Sequence, residues 1–130
     1  MVALLPILIW VAQITIVAIF VQTLYSKFTG AAESIEIFSA IGLEPWGRYV
    51  VGSLELIASI LLLVPYTSWY GALLSLFIIV PALIVHLFKV GLVVHNDRGL
   101  LFGLALAIFV LAIAVLLLRW NLGPFAFKTS

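Results

Sequence analysis

The sequence predicts an all-α integral membrane protein, a four-helix bundle with a short interfacial helix between the first and second spans. The composition and the length of the apolar stretches carry this prediction. Of the 130 residues, 66% are hydrophobic and 8% are charged, and the mean hydropathy is +1.39. Soluble domains carry roughly 25% charged residues. A core of this size could not hide so many apolar side chains, so we expect most of them to face lipid.

Four apolar stretches reach or approach the length of a transmembrane helix, which needs about 20 residues. They cover residues 4–25, 47–64, 69–88 and 100–120, and we expect residues 1–130 to form a single transmembrane domain. Pro45 and Pro65 bound the second stretch, and Asn121, Gly123 and Pro124 would end the fourth. The stretches are too long for barrel strands and do not alternate, which argues against a transmembrane β-barrel.

The longest connection joins the first two spans and contains a segment, 31–41, without proline or glycine. Glu33 and Glu36 alternate there with isoleucine and phenylalanine, which is typical of a short amphipathic helix at the membrane interface. Gly42 would end such a helix. Short periodic segments are ambiguous, so a plain connector is the alternative interpretation.

Several function classes find no support in the residues. A formal charge of +1 gives no indication of nucleic-acid binding, and the absence of cysteine removes thiolate ligands and thiol chemistry. His86 and His95 are nine residues apart, and we expect no metal site. The chain carries no glycine-rich phosphate loop, nucleophile elbow or zincin motif. An independent enzyme is therefore not indicated.

Ionisable residues inside the spans are costly in lipid and mark candidate functional positions. Glu55 and His86 stand out in the second and third spans. At about 100° per residue, three spans each present one small or polar stripe that we expect to face inward. These stripes comprise Thr15, Gln22 and Ser26 on the first span, Arg48, Gly52, Glu55 and Ser59 on the second, and Gly71, Ser75, Ala82, His86 and Lys89 on the third.

Two interpretations of Glu55 stay open at this point. It could bind a ligand or carry a proton, with Lys27 and Arg48 as charge partners and His86 as a hydrogen-bond donor across a cavity. It could equally tie helices together through a buried ion pair, which is weak evidence for anything more. His86 follows Pro81, which would kink the third span and either open a polar pocket or only shape the packing.

The fourth span carries small residues at regular spacing. Gly99, Gly103 and Ala107 are four residues apart, and Ala114 lies on nearly the same stripe. Such a face suits close helix packing, either within the chain or between subunits.

Three segments of the first two spans carry a family resemblance. Residues 25–30, YSKFTG, resemble the lysine-containing signature of the DoxX family. Residues 41–45, IGLEP, resemble its Gly-Leu-Pro segment, with Glu44 inserted before the proline. Residues 52–55, GSLE, followed by three leucines at 61–63, resemble its Gly-x-x-Glu signature. The likeness is looser over the third and fourth spans, where only length and hydropathy agree.

The resemblance implies a four-helix membrane bundle with functional candidates at Lys27, Gly52 and Glu55. Named members are associated with membrane quinone or thiosulfate redox systems, and related proteins act as partners or assembly factors for other membrane proteins. We expect an accessory subunit of a membrane oxidoreductase or respiratory assembly, with a quinone or lipid as the possible bound cofactor. A membrane-protein partner or a homo-oligomer is expected, in the cytoplasmic membrane of a bacterium or archaeon. The alternatives are an assembly factor or structural partner, and a small proton-coupled transporter with Glu55 as its exchanging carboxylate.

Overall fold

A computed structural model describes residues 4–91 and 99–120, apart from the side chains of Glu33, Lys89, Val90 and Leu101. All regular secondary structure in this part of the chain is helical, and it contains no strand. The helices are α1 (Leu4–Thr29), α2 (Ala32–Ala40), α3 (Trp46–Leu63), α4 (Ser68–Val85) and α5 (Leu100–Leu118). A 3₁₀ turn, Pro65–Thr67, joins α3 to α4, and a π-helical segment, His86–Val90, continues α4.

Three of these helices are long and apolar enough to cross a membrane: Leu4–Thr29, Trp46–Leu63 and Pro65–Phe88. The protein is therefore an integral membrane protein. In α5 the stretch Phe102–Leu118 is apolar but shorter. At about 1.5 Å per residue, 17 residues reach roughly 26 Å, a little less than the hydrocarbon core. The fourth span thus stays a prediction, and its expected stop at Asn121 to Pro124 lies outside the described residues.

The four long helices pack in a ring in which α1 contacts α3 and α5, and α4 contacts the same two helices. Their shared interior is apolar. Phe20 of α1, Leu62 of α3 and Val115 of α5 are all fully buried. Small residues bring the backbones together, as at Gly71, where an added Cβ atom would lie 2.8 Å from the Leu62 amide nitrogen. Close packing of this kind is the main source of attraction between helices in lipid.

The connection between α1 and α3 contains a helix rather than a plain connector. α2 begins at Ala32 after Gly30, whose φ is +73°, and is followed by Gly42 at φ +74°. Both values fall in the left-handed region that glycine adopts at little cost. Ser34 and Phe38 are buried against the rest of the protein. The helical interpretation is confirmed, while its position at the membrane interface stays a prediction.

The stripe expected on the first span is wrong in two of its three residues. Thr15 and Gln22 are exposed, and the Thr15 hydroxyl donates to the Val11 carbonyl of its own helix at 2.7 Å. The polar side chain that α1 buries completely is Gln13. Because a threonine can satisfy its hydroxyl within its own helix, a polar residue does not by itself mark the inward face.

The stripe on the second span is confirmed, since all four of its residues are buried. On the third span Gly71, Ser75 and His86 are buried and Ala82 is half-buried, while the Lys89 side chain lies outside the described residues.

The small-residue face of the fourth span is not buried at Gly103. Gly103 is exposed, and a Cβ atom built on it would meet nothing within 4 Å. The residues of α5 that are buried in the interior are Ala105, Ile108, Ala112 and Val115. Close packing of the stripe within the chain is therefore wrong at Gly103, and a contact between subunits is untested.

Candidate functional site

A cavity of about 220 Å³ lies among all five helices, between the middle of the ring and α2. Its walls are mostly apolar, with isoleucines from α1, α2 and α4 and a leucine and an alanine from α5. Pro81 and Ala82 also line it, at the part of α4 that precedes the π-helical segment. The polar and charged residues of the lining are Thr23, Ser26, Lys27, Ser34, Glu55 and His86.

The Glu55 carboxylate is buried in this lining, with 3% of the residue exposed. Its Oε2 atom accepts a hydrogen bond from the Thr23 hydroxyl at 3.0 Å and a charged one from Lys27 Nζ at 3.2 Å. Its Oε1 atom has no hydrogen-bond partner among the described residues. One half of the carboxylate is therefore satisfied by α1, and the other half is an unused acceptor.

Gly52 explains how the lysine at the end of α1 reaches this depth. It lies one helical turn before Glu55 on α3, and it is buried. A Cβ atom at Gly52 would lie 3.2 Å from the Phe28 ring and 3.5 Å from Lys27 Cβ. The missing side chain lets the last turn of α1 lie directly on α3. Gly52 thus positions Lys27 without contacting the carboxylate itself.

The structure does not pair Arg48 with Glu55, so the predicted charge partnership is wrong for this residue. Arg48 instead donates from Nη2 to Glu44 Oε1 at 2.7 Å and from Nε to both carboxylate oxygens at 3.0 Å. Its Nη1 donates to the Lys27 carbonyl at the end of α1. The spacing of four residues places Glu44 within reach, whereas Glu55 lies about two turns further along α3. Arg48 does not line the cavity and fixes the loop beside it.

His86 lines the cavity, but its observed hydrogen bond is local. The ring atom Nδ1 lies 3.2 Å from the Gly91 carbonyl, and the ring packs edge-on against Phe102 with centroids 5.7 Å apart. A carbonyl only accepts, so Nδ1 carries the proton in this bond. The structure thus gives the predicted donor a partner in the next loop rather than in the cavity. His86 is also the first residue of the π-helical segment, a feature frequent at functional sites.

Sequence reasoning missed three polar residues of this region. Thr23 was not selected, although it lies four residues before Lys27 and therefore on the same face of α1. Ser34 was not selected either, and its hydroxyl lies 2.8 Å from that of Ser26, joining α2 to α1. Glu44 was noted only as an insertion, although its spacing from Arg48 is the usual one for a helical ion pair.

The charges of the site are balanced within the lining. The Lys27 ammonium compensates the Glu55 carboxylate, and the remaining polar lining residues are hydroxyls and one imidazole. Among the described residues no cluster of three or more histidine, aspartate or glutamate side chains could hold a metal ion. His95 lies outside the described residues, so the expectation of no metal site stays a prediction.

A second polar cluster lies at the other end of the ring. The Gln13 amide donates to the Leu62 carbonyl at 2.8 Å, and its Oε1 atom accepts from Arg119 Nε at 3.0 Å. The Arg119 guanidinium also lies 5.8 Å from the centre of the Trp10 ring. None of these residues lines the cavity. The cluster joins α1, α3 and the end of α5, and it was not predicted.

Comparison with known proteins agrees with the residue-level resemblance and extends it. Neither the curated proteins nor the solved structures contain a significant match to the chain. The sequence model of the DoxX family, by contrast, matches residues 8–88, from the first span to the end of the third. The matched segment includes Lys27, Gly52, Glu55 and His86, and it stops before α5. Since it covers more than half of the sequence, the chain belongs to the DoxX family.

Proposed function

We propose that this protein is a four-helix membrane bundle that serves as an accessory subunit of a membrane oxidoreductase or respiratory assembly. In this role it holds a quinone or a lipid in the cavity beside Glu55. The observation that carries the proposal is a buried carboxylate, 3% exposed, that lines an apolar cavity and has an oxygen without a partner among the described residues. A buried charged acceptor left without a hydrogen bond is destabilising, and a bound molecule would relieve that cost.

The shape and chemistry of the cavity support a small amphipathic ligand. Binding sites for such molecules are usually concave and mostly apolar, with a few polar groups that fix orientation. Here the apolar walls come from all five helices, and the polar groups are contributed by α1, α2, α3 and the start of the π-helical segment. A ring or acyl chain would lie along the isoleucines, with its polar end at Glu55. The sequence contains no cysteine, and in this proposal electrons come from a partner subunit.

Native mass spectrometry of the protein, released gently from its own membrane, tests the proposal. We expect the wild-type protein to carry a stoichiometric quinone or lipid, and Glu55→Gln to lose it. Glu36→Gln is the matched control, because it makes the same chemical change on an exposed residue that does not line the cavity. That variant should keep the ligand.

Two other results would point away from this function. A stoichiometric protein partner without any small molecule would favour an assembly factor or structural partner, with Glu55 as a helix-joining residue. Ligand affinity that depends on pH and loses this dependence in Glu55→Gln would favour a proton-coupled transporter.

A further inference from the structure

The free polar atoms of the cavity define the chemistry of its ligand more narrowly than its shape does. The Thr23 hydroxyl and the Lys27 ammonium already donate to Glu55 Oε2, at 3.0 and 3.2 Å. The Ser26 and Ser34 hydroxyls bond to each other at 2.8 Å. Each donor residue of the lining thus has at least one partner, although the Lys27 ammonium keeps further N–H groups and one of the two serines keeps its hydroxyl proton. Glu55 Oε1, by contrast, is a buried acceptor that has no partner among the described residues.

The imidazole of His86 also offers an acceptor rather than a donor. Its Nδ1 atom faces the Gly91 carbonyl at 3.2 Å, and a carbonyl cannot donate. Nδ1 is therefore the protonated nitrogen, and in the neutral ring Nε2 is left as an acceptor. The cavity lining thus combines a carboxylate oxygen and an imidazole whose remaining nitrogen accepts. A ligand whose only polar atoms are acceptors would find no complement at Glu55.

The charge balance of the site narrows the class of ligand further. Lys27 already compensates Glu55 across 3.2 Å, so a cation is not needed to neutralise the site. An anionic head group would place a second negative charge beside the carboxylate. A neutral hydroxyl, by contrast, can form a charge-assisted hydrogen bond, which is among the stronger kinds in proteins.

We infer that the cavity selects neutral, largely apolar molecules that carry a hydroxyl donor, and that Glu55 Oε1 accepts the hydrogen bond from that hydroxyl. This inference rests on the proposed ligand-binding function and narrows its ligand class. Between a quinone and the corresponding quinol, only the quinol carries the hydroxyl, so only the reduced member of the couple can donate to Glu55 Oε1. Molecules of the same shape that offer only carbonyl or ether oxygens leave Oε1 without a donor and bind more weakly.

A pair of probes that differ in this donor alone tests the inference. The probes are para-nonylphenol and its methyl ether, para-nonylanisole, titrated calorimetrically into the full-length protein in detergent micelles. We expect the wild-type protein to bind the phenol about tenfold or more tightly than the ether, since a hydrogen bond to a buried charged group is worth that much. Glu55→Gln should bring the ratio close to one, because the amide presents a donor as well as an acceptor.

A cavity-filling variant separates binding at this site from uptake into the micelle. Ala82 lines the cavity and is half-buried, so Ala82→Phe should abolish the saturable binding of both probes. Equal affinities for the two probes in the wild-type protein, both lost in Ala82→Phe, would overturn the donor selectivity and leave the ligand-binding function standing. Absence of saturable binding by either probe would overturn both proposals together. A phenol preference that persists in Glu55→Gln would overturn the assignment to Glu55, and the wild-type ratio decides alone if that variant does not fold.

Discussion

The Glu55 carboxylate is used unequally, with two donors on Oε2 and none from the described residues on Oε1. A residue that only joined helices would gain most by having both oxygens satisfied. The ion pair to Lys27 thus performs the joining, and the second oxygen is available for other chemistry. The functional and the structural interpretations of Glu55 are compatible, because each concerns a different oxygen.

The structural half of this arrangement predicts a coupled stability effect. Lys27→Met leaves the Glu55 carboxylate buried without its cation, which should lower the free energy of unfolding by about 3 kcal/mol. Adding Glu55→Gln removes the uncompensated charge, so the double variant should be more stable than Lys27→Met alone. Thermal unfolding in detergent, followed by tryptophan fluorescence, measures both.

Ser53→Ala is the control for that comparison, because Ser53 is exposed on the same helix and donates only to the Tyr49 carbonyl. It should leave the midpoint nearly unchanged. If the double variant were less stable than Lys27→Met, the two residues would not be coupled as the distance of 3.2 Å implies.

Residue-scale prediction from the sequence succeeded where a position had one sensible partner. Lys27, Gly52 and Glu55 were selected, and the structure brings all three together. It failed for Arg48, because two carboxylates were within plausible reach and the sequence alone does not say which one the guanidinium meets. Thr23 escaped notice because threonine is compatible with a lipid-facing position as well as with a buried one.

At the scale of the helices, glycine has opposite roles in α4 and α5. Gly71 is buried where α4 meets α3, and Gly103 is exposed on α5 with open space around it. The same residue type at similar depth along a helix therefore serves close packing in one case and not in the other. The regular spacing of glycine and alanine in α5 gave no means of telling these cases apart.

This contrast predicts opposite effects of one substitution. Gly71→Ala places a methyl group 2.8 Å from a backbone nitrogen of α3, which should lower the free energy of unfolding by about 1–3 kcal/mol. Gly103→Ala is the matched control, and it should raise the free energy by about 0.5–1 kcal/mol because alanine favours the helix. Thermal midpoints in one detergent measure both changes. A loss of stability in Gly103→Ala would show that this face packs against another subunit.

Helix positions were largely predictable, and their ends were less so. The expected spans 47–64 and 69–88 differ from α3 and from α4 with its π-helical continuation by only a residue or two at most ends, because prolines and the short turn mark the boundaries. The first span was expected to end at residue 25, whereas α1 continues to Thr29. Its last turn is amphipathic, so the mean hydropathy falls before the helix itself ends.

For the whole molecule, the remaining question is whether α5 crosses the membrane. α5 contacts both α1 and α4, which supports the proposed four-span arrangement. Single cysteines can decide whether α5 crosses the membrane, since the natural sequence contains none.

Labelling from one side of the membrane tests the four-span arrangement. Ser39→Cys is at an exposed position of α2, Tyr66→Cys lies in the turn between α3 and α4, and Trp120→Cys follows α5. An impermeant thiol reagent added to sealed vesicles should reach the Tyr66 and Trp120 positions together, and the Ser39 position only from the opposite side. Labelling of the Trp120 position together with the Ser39 position would rule out a fourth crossing.

Gln13 links the stability of α1 in the membrane to the order in which the helices are synthesised. This amide is fully buried, and its two partners, the Leu62 carbonyl and Arg119, are made later in the chain. A glutamine without hydrogen-bond partners is costly in hydrocarbon, so α1 on its own is less stable in the membrane. The arrival of the α3–α4 hairpin satisfies the amide group, and the end of α5 then satisfies the amide oxygen. The end of α5 therefore completes the hydrogen bonding of Gln13. In a nascent chain truncated before Arg119, the Gln13 amide oxygen would lack its partner, and α1 would be a target of membrane quality control.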